Sequence, residues 1–264
     1  MAIKLNCDLG EGSGGDADIT DAASTDAAST DAASTEAYSV DAAVMPFIDQ
    51  ASIACGFHAG DPQQIHATLA LAQRAGVSIG AHPSYRDREG FGRRSMSCST
   101  AEIIALMHYQ IAALEGMARC QGLSLAYVKP HGALYNDMMA QSAVRSAVLT
   151  AMSSYHQPLP LMVLATGEAD AHRLEARAHG VELLFEGFAD RRYGDDGRLL
   201  PRTQPGAILD REAMLAQVQQ LCQQGTVTTV GGSCLALQID SLCVHGDNPS
   251  AAAAIADIRR LLPA

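Results

Sequence analysis

The chain has 264 residues, 48% of them hydrophobic, and a formal net charge of −11. That length and apolar content suffice for one large core or two small ones, while the acidic balance argues against nucleic-acid or membrane partners, which need a basic footprint. Seven cysteines at scattered spacings, with no CxxC pair, exclude a fully paired disulfide framework and point to a reducing cytoplasm.

In chain order, the first predicted strand is IKLNC (3–7), and only this short apolar run precedes Asp8. Neither a signal peptide nor a transmembrane span is therefore expected. The strand runs into NCDLGEG, where Asp8 and Glu11 share a glycine-rich turn. Such a pair can act as acid and base, bind a metal, or simply solvate a strand end. GEGSGG (10–15) formally matches GxGxxG, yet Glu11 inside it and acidic residues on both sides deny a dinucleotide the bare helix N-terminus it needs. The usual phosphate cradle, GxxxxGK[ST], does not occur.

TDAASTDAASTDAAST (20–35) follows, a tandem repeat of DAAST. A five-residue period advances a helix face by roughly 140°, so Asp21, Asp26 and Asp31 point in different directions and no apolar stripe forms. The stretch reads as a solvated, low-complexity insertion at about 16–40 with no core to join.

Beyond it, apolar runs alternate with helical patterns. Strands are expected at 51–57, 77–81, 125–129, 159–165, 181–189 and 241–245. Helices are expected at 62–75, from Ser99 onward, and near 138–153, 168–179, 211–224 and 249–262. Asp61, Pro62 and Gln64 make a helix start, and Ser99 with Glu102 makes a capping box. GG at 231–232 and YGDDGRLLPRTQPG (193–206) read as turn and loop.

This repeated β-then-α unit implies a parallel sheet with helices outside. Nearly every strand ends in reactive side chains: Asp8 and Glu11; His58 and Asp61; His82; Lys129 and His131; Asp190 and Arg191; His245 and Asp247. Groups drawn from the C-terminal ends of many strands indicate a closed barrel, because an open sheet would gather them at one switch point. The expected fold is α/β, a single irregular parallel (β/α) barrel of about seven strands spanning 1–264.

His58, His82, His131 and His245 all follow a strand beside Gly or Pro and form a constellation. His66, His108, His156, His172 and His179 lie in or beside helices and read as bland. Asp61 is as well explained by helix capping as by function. Lys129 at a buried strand end needs a partner or an anion. Asp190, Arg191 and Arg192 form either an anion clamp or plain ion pairs, and Arg93 and Arg94 suit bidentate recognition of a carboxylate. Cys7, Cys55 and Cys243 read as small core residues more than as nucleophiles.

The blocks LNCDLGEG, MPFIDQASIACGFHAGDP, GVSIGAHPSYRDREGFGRRSM, VKPHGALYN, FADRRYGDDGRLLPR and VHGDNP, in that order from residue 3 to about 260, resemble the LamB/YcsF family. The resemblance implies a barrel related to polysaccharide deacetylases. It also implies the role of the A component of ATP-dependent 5-oxoprolinase, opening 5-oxoproline to glutamate with ATP and with B and C subunits. On that basis Asp8, Glu11, His58, Lys129 and His131 are the expected catalytic groups. Asp61, His82, Arg93, Asp190, Arg191, His245 and Asp247 are the expected substrate contacts. The rival reading is a stand-alone divalent-metal deacetylase or amidohydrolase with Asp8, His58 and His82 as ligands. A non-catalytic scaffold for the other subunits is a third, and it has no need of so many strand-end functional groups. Family members join GEG to the MP block by a shorter linker, so the DAAST repeat reads as an expansion beside Asp8 and Glu11.

Overall fold

A computed structural model of the protein describes residues 2–12, 40–245 and 249–262. The DAAST repeat and Asp247 lie outside the described residues. The strands are β1 (Lys4–Leu9), β2 (Gln50–Ala54), β3 (Ser78–His82), β4 (Leu125–Val128), β5 (Leu161–Leu164), β6 (Leu183–Phe188), a short antiparallel hairpin of β7 (Thr226–Thr228) and β8 (Cys234–Ala236), and β9 (Ser241–His245). Strands β1 to β6 and β9 are all parallel and close into a barrel, with β9 sealing the ring between β6 and β1. Around it stand α1 (Pro62–Ala75), α2 (Thr100–Cys120), α3 (Gly132–Ala140), α4 (Ser142–Ser154), α5 (Ala169–Ala178), α6 (Arg211–Gln224) and α7 (Pro249–Leu261).

Local sequence explains the helix limits. Asp61 accepts from the backbone N–H of Gln63 and Gln64 to start α1, and Gly76 at φ 68° stops it. The Ser99–Glu102 capping box starts α2 as expected. The single helix expected at 138–153 is instead two, because Gln141 is extended (φ −124°, ψ 115°) and starts a new helix at Ser142. Each helix buries one apolar stripe; in α1 this is Ile65, Leu69 and Ala72. Full burial of a leucine such as Leu69 contributes about 1.5–3 kcal/mol.

The barrel interior departs from the expectation of uniformly apolar strands. Side chains alternate along a strand, and one parity is polar: Asn6 and Asp8, Gln50 and Ser52, Glu186, and Ser241. These residues bond to one another across the lumen. Asn6 Nδ2 donates to Ser241 Oγ at 2.7 Å, Ser241 Oγ to Gln50 Oε1 at 2.9 Å, and Ser52 Oγ lies 3.1 Å from Tyr127 Oη. Gly80 makes room for that tyrosine, since a Cβ there would sit 2.3 Å from its ring. A buried polar network of this kind is tolerated when its members are paired, and here Glu186 Oε1 is left without a hydrogen-bond partner. It forms the floor on which the strand-end residues stand.

Candidate active site

Lys129 directly follows β4, and its ammonium reaches into the lumen. Nζ lies 2.8 Å from Asp8 Oδ1 and 3.0 Å from Glu186 Oε2, donates to Asn6 Oδ1 at 3.3 Å, and sits 3.2 Å from Cys243 Sγ. All these groups are buried. Burial alone would lower the lysine, but Asp8, Cys243 and Glu186 outweigh it and hold the ammonium well above its ordinary value. Burial would likewise raise Asp8, yet His82 and Lys129 keep it well below the carboxylate range. Glu186 goes the other way: burial raises it and Lys129 only partly offsets the shift.

The second half of the site is built on histidines. Gly10 (φ 71°) and Gly12 (φ 78°) shape the turn that carries Glu11. Asp41 ties this turn to α1, accepting from Gly10 N at 3.1 Å and from Thr68 Oγ1 at 2.6 Å. Glu11 Oε1 then lies 3.1 Å from His58 Nε2, 3.3 Å from His131 Nδ1 and 3.8 Å from His82 Nε2. His82 Nδ1 is 2.7 Å from the Lys129 carbonyl, and His131 Nε2 is 2.9 Å from the Phe91 carbonyl. His58 and His131 stack with ring centroids 3.8 Å apart. The 91–92 backbone closes over both rings in the left-handed region, with Phe91 at φ 52° and Gly92 at φ 67°. A Cβ on Gly92 would come within 2.8 Å of both His131 and His58. Burial lowers His58 to about 3 and also lowers His131, whereas in His82 the Asp8 charge overcomes burial and raises it.

A cavity of about 470 Å³ opens over both halves, lined by Asp8, Glu11, His82, Lys129, His131 and His245, with Arg93, Arg191, Arg198 and Arg202 contributing cationic walls. Arg191 is bound to the Leu200 carbonyl through Nη2, while its buried Nε has no hydrogen-bond partner. Burial pulls its guanidinium down to about 10. Arg93 lies over the Phe91 ring at 4.8 Å.

Several expectations change in this geometry. Asp61 caps α1 and does not line the cavity, so its expected substrate contact gives way to the structural role. Asp190 stands behind His245, holding Nδ1 at 2.9 and 3.1 Å, and orients that ring without lining the cavity. His58 too is set back, stacked behind His131. Arg94 is engaged by Asp87 and serves the loop instead of a ligand. The rival metal set of Asp8, His58 and His82 is not the one that converges. Glu11, His58, His82 and His131 bring one donor atom each within 4.8 Å of one another. Asp8, Cys243 and His245 form a second such group, but Lys129 contacts both Asp8 and Cys243 there. Cys7, Cys55 and Cys243 are buried, and burial pushes their thiols up, Cys55 to about 12, which opposes a nucleophilic role.

Three contributors escape a reading of strand ends. Glu186 lies mid-strand, though its parity with Phe188 and Asp190 was a usable signal for the lumen face. Asp41 and the Phe91 carbonyl left no such mark, because each acts through a contact that only the folded chain creates.

Residues 3–264 match the LamB/YcsF family. The chain is 46% identical over 261 residues to a 5-oxoprolinase A subunit from Pseudomonas fluorescens (strain Pf0-1), covering 98% of this chain and 96% of that protein. The corresponding 5-oxoprolinase A subunit from Vibrio campbellii is 44% identical over 98% of this chain and 95% of its own length. The crystal structure of a lactam utilization protein from Thermus thermophilus superposes with a TM-score of 0.80 at 33% identity, covering 99% of this chain and 96% of that one. A match that runs nearly end to end and takes in every strand of the barrel makes this chain a member of the LamB/YcsF family.

Proposed function

We propose that the protein is the lactam-opening subunit of a 5-oxoprolinase, a hydrolase that converts 5-oxo-L-proline to L-glutamate. The observation that carries this reading is the buried Lys129–Asp8–Glu186 cluster at the base of the cavity, directly beside the Glu11–histidine group. It stands in a chain whose full-length relatives are named as the A component of 5-oxoprolinase.

A five-membered lactam is a stable amide, and its opening needs an activated carbonyl. ATP supplies the activation in this reading, through B and C subunits, because the sequence lacks a phosphate-cradling GxxxxGK[ST] loop. The γ-phosphoryl passes to the lactam oxygen, releasing ADP. Water then adds to the activated carbon and the C–N bond breaks, with the nitrogen protonated as it leaves; a second water releases phosphate from the γ-glutamyl phosphate. Lys129 and Arg191, with Arg93, face the carboxylate and phosphoryl charges. In this reading Asp8 or Glu11, with His131, activates water and protonates the amine, and all three line the cavity. Among the described residues no helix is long and apolar enough to cross a membrane.

The test is glutamate release from 5-oxoproline and ATP, with this chain alone, with B and C alone, and with all three. Glutamate should form only with all three. Equal turnover by B and C without this chain would remove the proposed function. Full activity in folded, assembled Lys129→Met and His131→Ala variants would remove the residue assignment.

A further inference from the structure

We infer that Glu11, His82 and His131, with His58 as a fourth donor, form a binding site for one divalent transition-metal ion of the zinc class. The observation is the convergence of four ligand-capable atoms, all within 4.8 Å of one another. His82 Nδ1 and His131 Nε2 each face a backbone carbonyl, at 2.7 and 2.9 Å, and a carbonyl only accepts, so each ring carries its hydrogen on that outer nitrogen. In the neutral rings the inner atoms, His82 Nε2 and His131 Nδ1, are therefore lone pairs, and they face each other at 2.9 Å. Glu11 Oε1 adds another lone pair, 3.3 Å from His131 Nδ1 and 3.8 Å from His82 Nε2. Asp8 Oδ2 stands 3.4 Å from His82 Nε2.

One extra proton on His82 bridges only one of these contacts and leaves Glu11 facing His131 acceptor to acceptor. A cation among the four donor atoms satisfies all of them at once. A tetrahedral ion with bonds of ~2.0–2.1 Å has edges of about 3.3 Å, and the separations of 2.9, 3.1, 3.3 and 3.8 Å bracket that edge. Three imidazoles and one carboxylate select zinc-class ions over magnesium or calcium, which prefer oxygen. His82 and His131 have their outer ring N–H groups tied to backbone carbonyls, the support that metal-bound histidines use, and the left-handed Phe91 backbone supplies one of those carbonyls; the outer Nδ1 of His58 is buried without a hydrogen-bond partner. An ion here would fill its four tetrahedral positions with protein donors and pin Glu11, His82 and His131 at the edge of the cavity. The site rests on this geometry; within the lactam-opening reading it makes Glu11, His82 and His131 ligands and leaves Asp8, which also lines the cavity, as the carboxylate that activates water.

The test uses the full chain, stripped with chelator and titrated separately with Zn2+ and Co2+. One equivalent of each should bind by calorimetry, Co2+ giving the intense visible bands of a four-coordinate site. Glu11→Gln and His131→Gln should each weaken binding at least 10-fold, whereas His66→Ala, an exposed histidine on α1, should not change it. Should the variants fail to fold, nitrogen-15 spectra of the wild-type histidines decide the matter, with Zn2+ expected on Nε2 of His82 and Nδ1 of His131. Absence of stoichiometric binding, binding unchanged in the folded variants, or metal signals on other histidines would overturn the inference in favour of a shared proton. Glutamate formation by the reconstituted three-subunit enzyme is scored separately. Turnover without metal binding sinks only the metal site, and metal binding without turnover sinks only the lactam reading.

Discussion

The two halves of the barrel mouth are equally buried but solve the problem of buried polarity differently. On the lysine side, one ammonium answers Asp8 and Glu186, and Asn6 and Cys243 complete its contacts. On the histidine side, Glu11 and three imidazoles converge with acceptors facing acceptors, and the outer ring nitrogens are committed to the backbone. The lysine half has a built-in cation, while the histidine half is rigidly held yet leaves lone pairs of Glu11, His82 and His131 facing one another. A closed ion cluster suits a fixed electrostatic platform; a held but unsatisfied one suits a group that takes up a proton or an ion.

The largest effect should come from opening the closed half. Lys129→Met removes the cation and strands Asp8 and Glu186, so chemical denaturation should reveal a loss of about 3–5 kcal/mol. A loss below about 1 kcal/mol would mean that the cluster is not closed in the sense described.

Asp41 sharpens the other half, since it fixes the turn that presents Glu11. Burial raises its carboxyl from 3.8 to about 6, hydrogen bonds from Thr68 and Gly10 offsetting only part of the rise. With the folded value above the unfolded one, its contribution is fully present below about pH 4 and is lost as pH rises through about 6. Asp41→Asn keeps an acceptor and has no such titration. Measured from pH 4 to pH 7, stability of the variant relative to wild type should rise by about 2–3 kcal/mol. A difference that is flat with pH would refute the buried, proton-holding Asp41.

Gly92→Ala probes rigidity on the histidine side, because the added Cβ meets both His131 and His58 at 2.8 Å and the position has φ 67°. We expect a cost of about 1–3 kcal/mol and, in the reconstituted enzyme, a fall in glutamate formation of about 100-fold. The smallest effect should be Cys243→Ser, whose hydroxyl can still meet Lys129 Nζ. Its stability should stay within about 1 kcal/mol of wild type, and a much larger loss would assign the sulfur a role beyond filling the closed half.

Much of this arrangement could be read along the chain. Asp8, His82, Lys129, His131 and His245 end or follow apolar runs, and in a parallel barrel such positions gather at one mouth. Asp61 was equally legible as a cap, and the structure keeps it as one. Glu186 was harder, because a carboxylate inside ELLFEGF looks like an exposed break in an apolar strand until strand parity is counted back from Asp190. The helix predicted at 138–153 failed at Gln141, where neither Gly nor Pro announces the interruption.

The elements, their alternation and the polarity of the strand ends were legible along the chain, since these follow from local periodicity, caps and turn residues. The partnerships come from the folded chain alone: Lys129 with Glu186, Asp190 with His245, and Glu11 with three histidines that end or follow three different strands. Those contacts span up to 120 residues and depend on how the strands are staggered when the barrel closes. A one-residue slip in any strand would turn its polar set from the lumen to the helices, and no local pattern records that register.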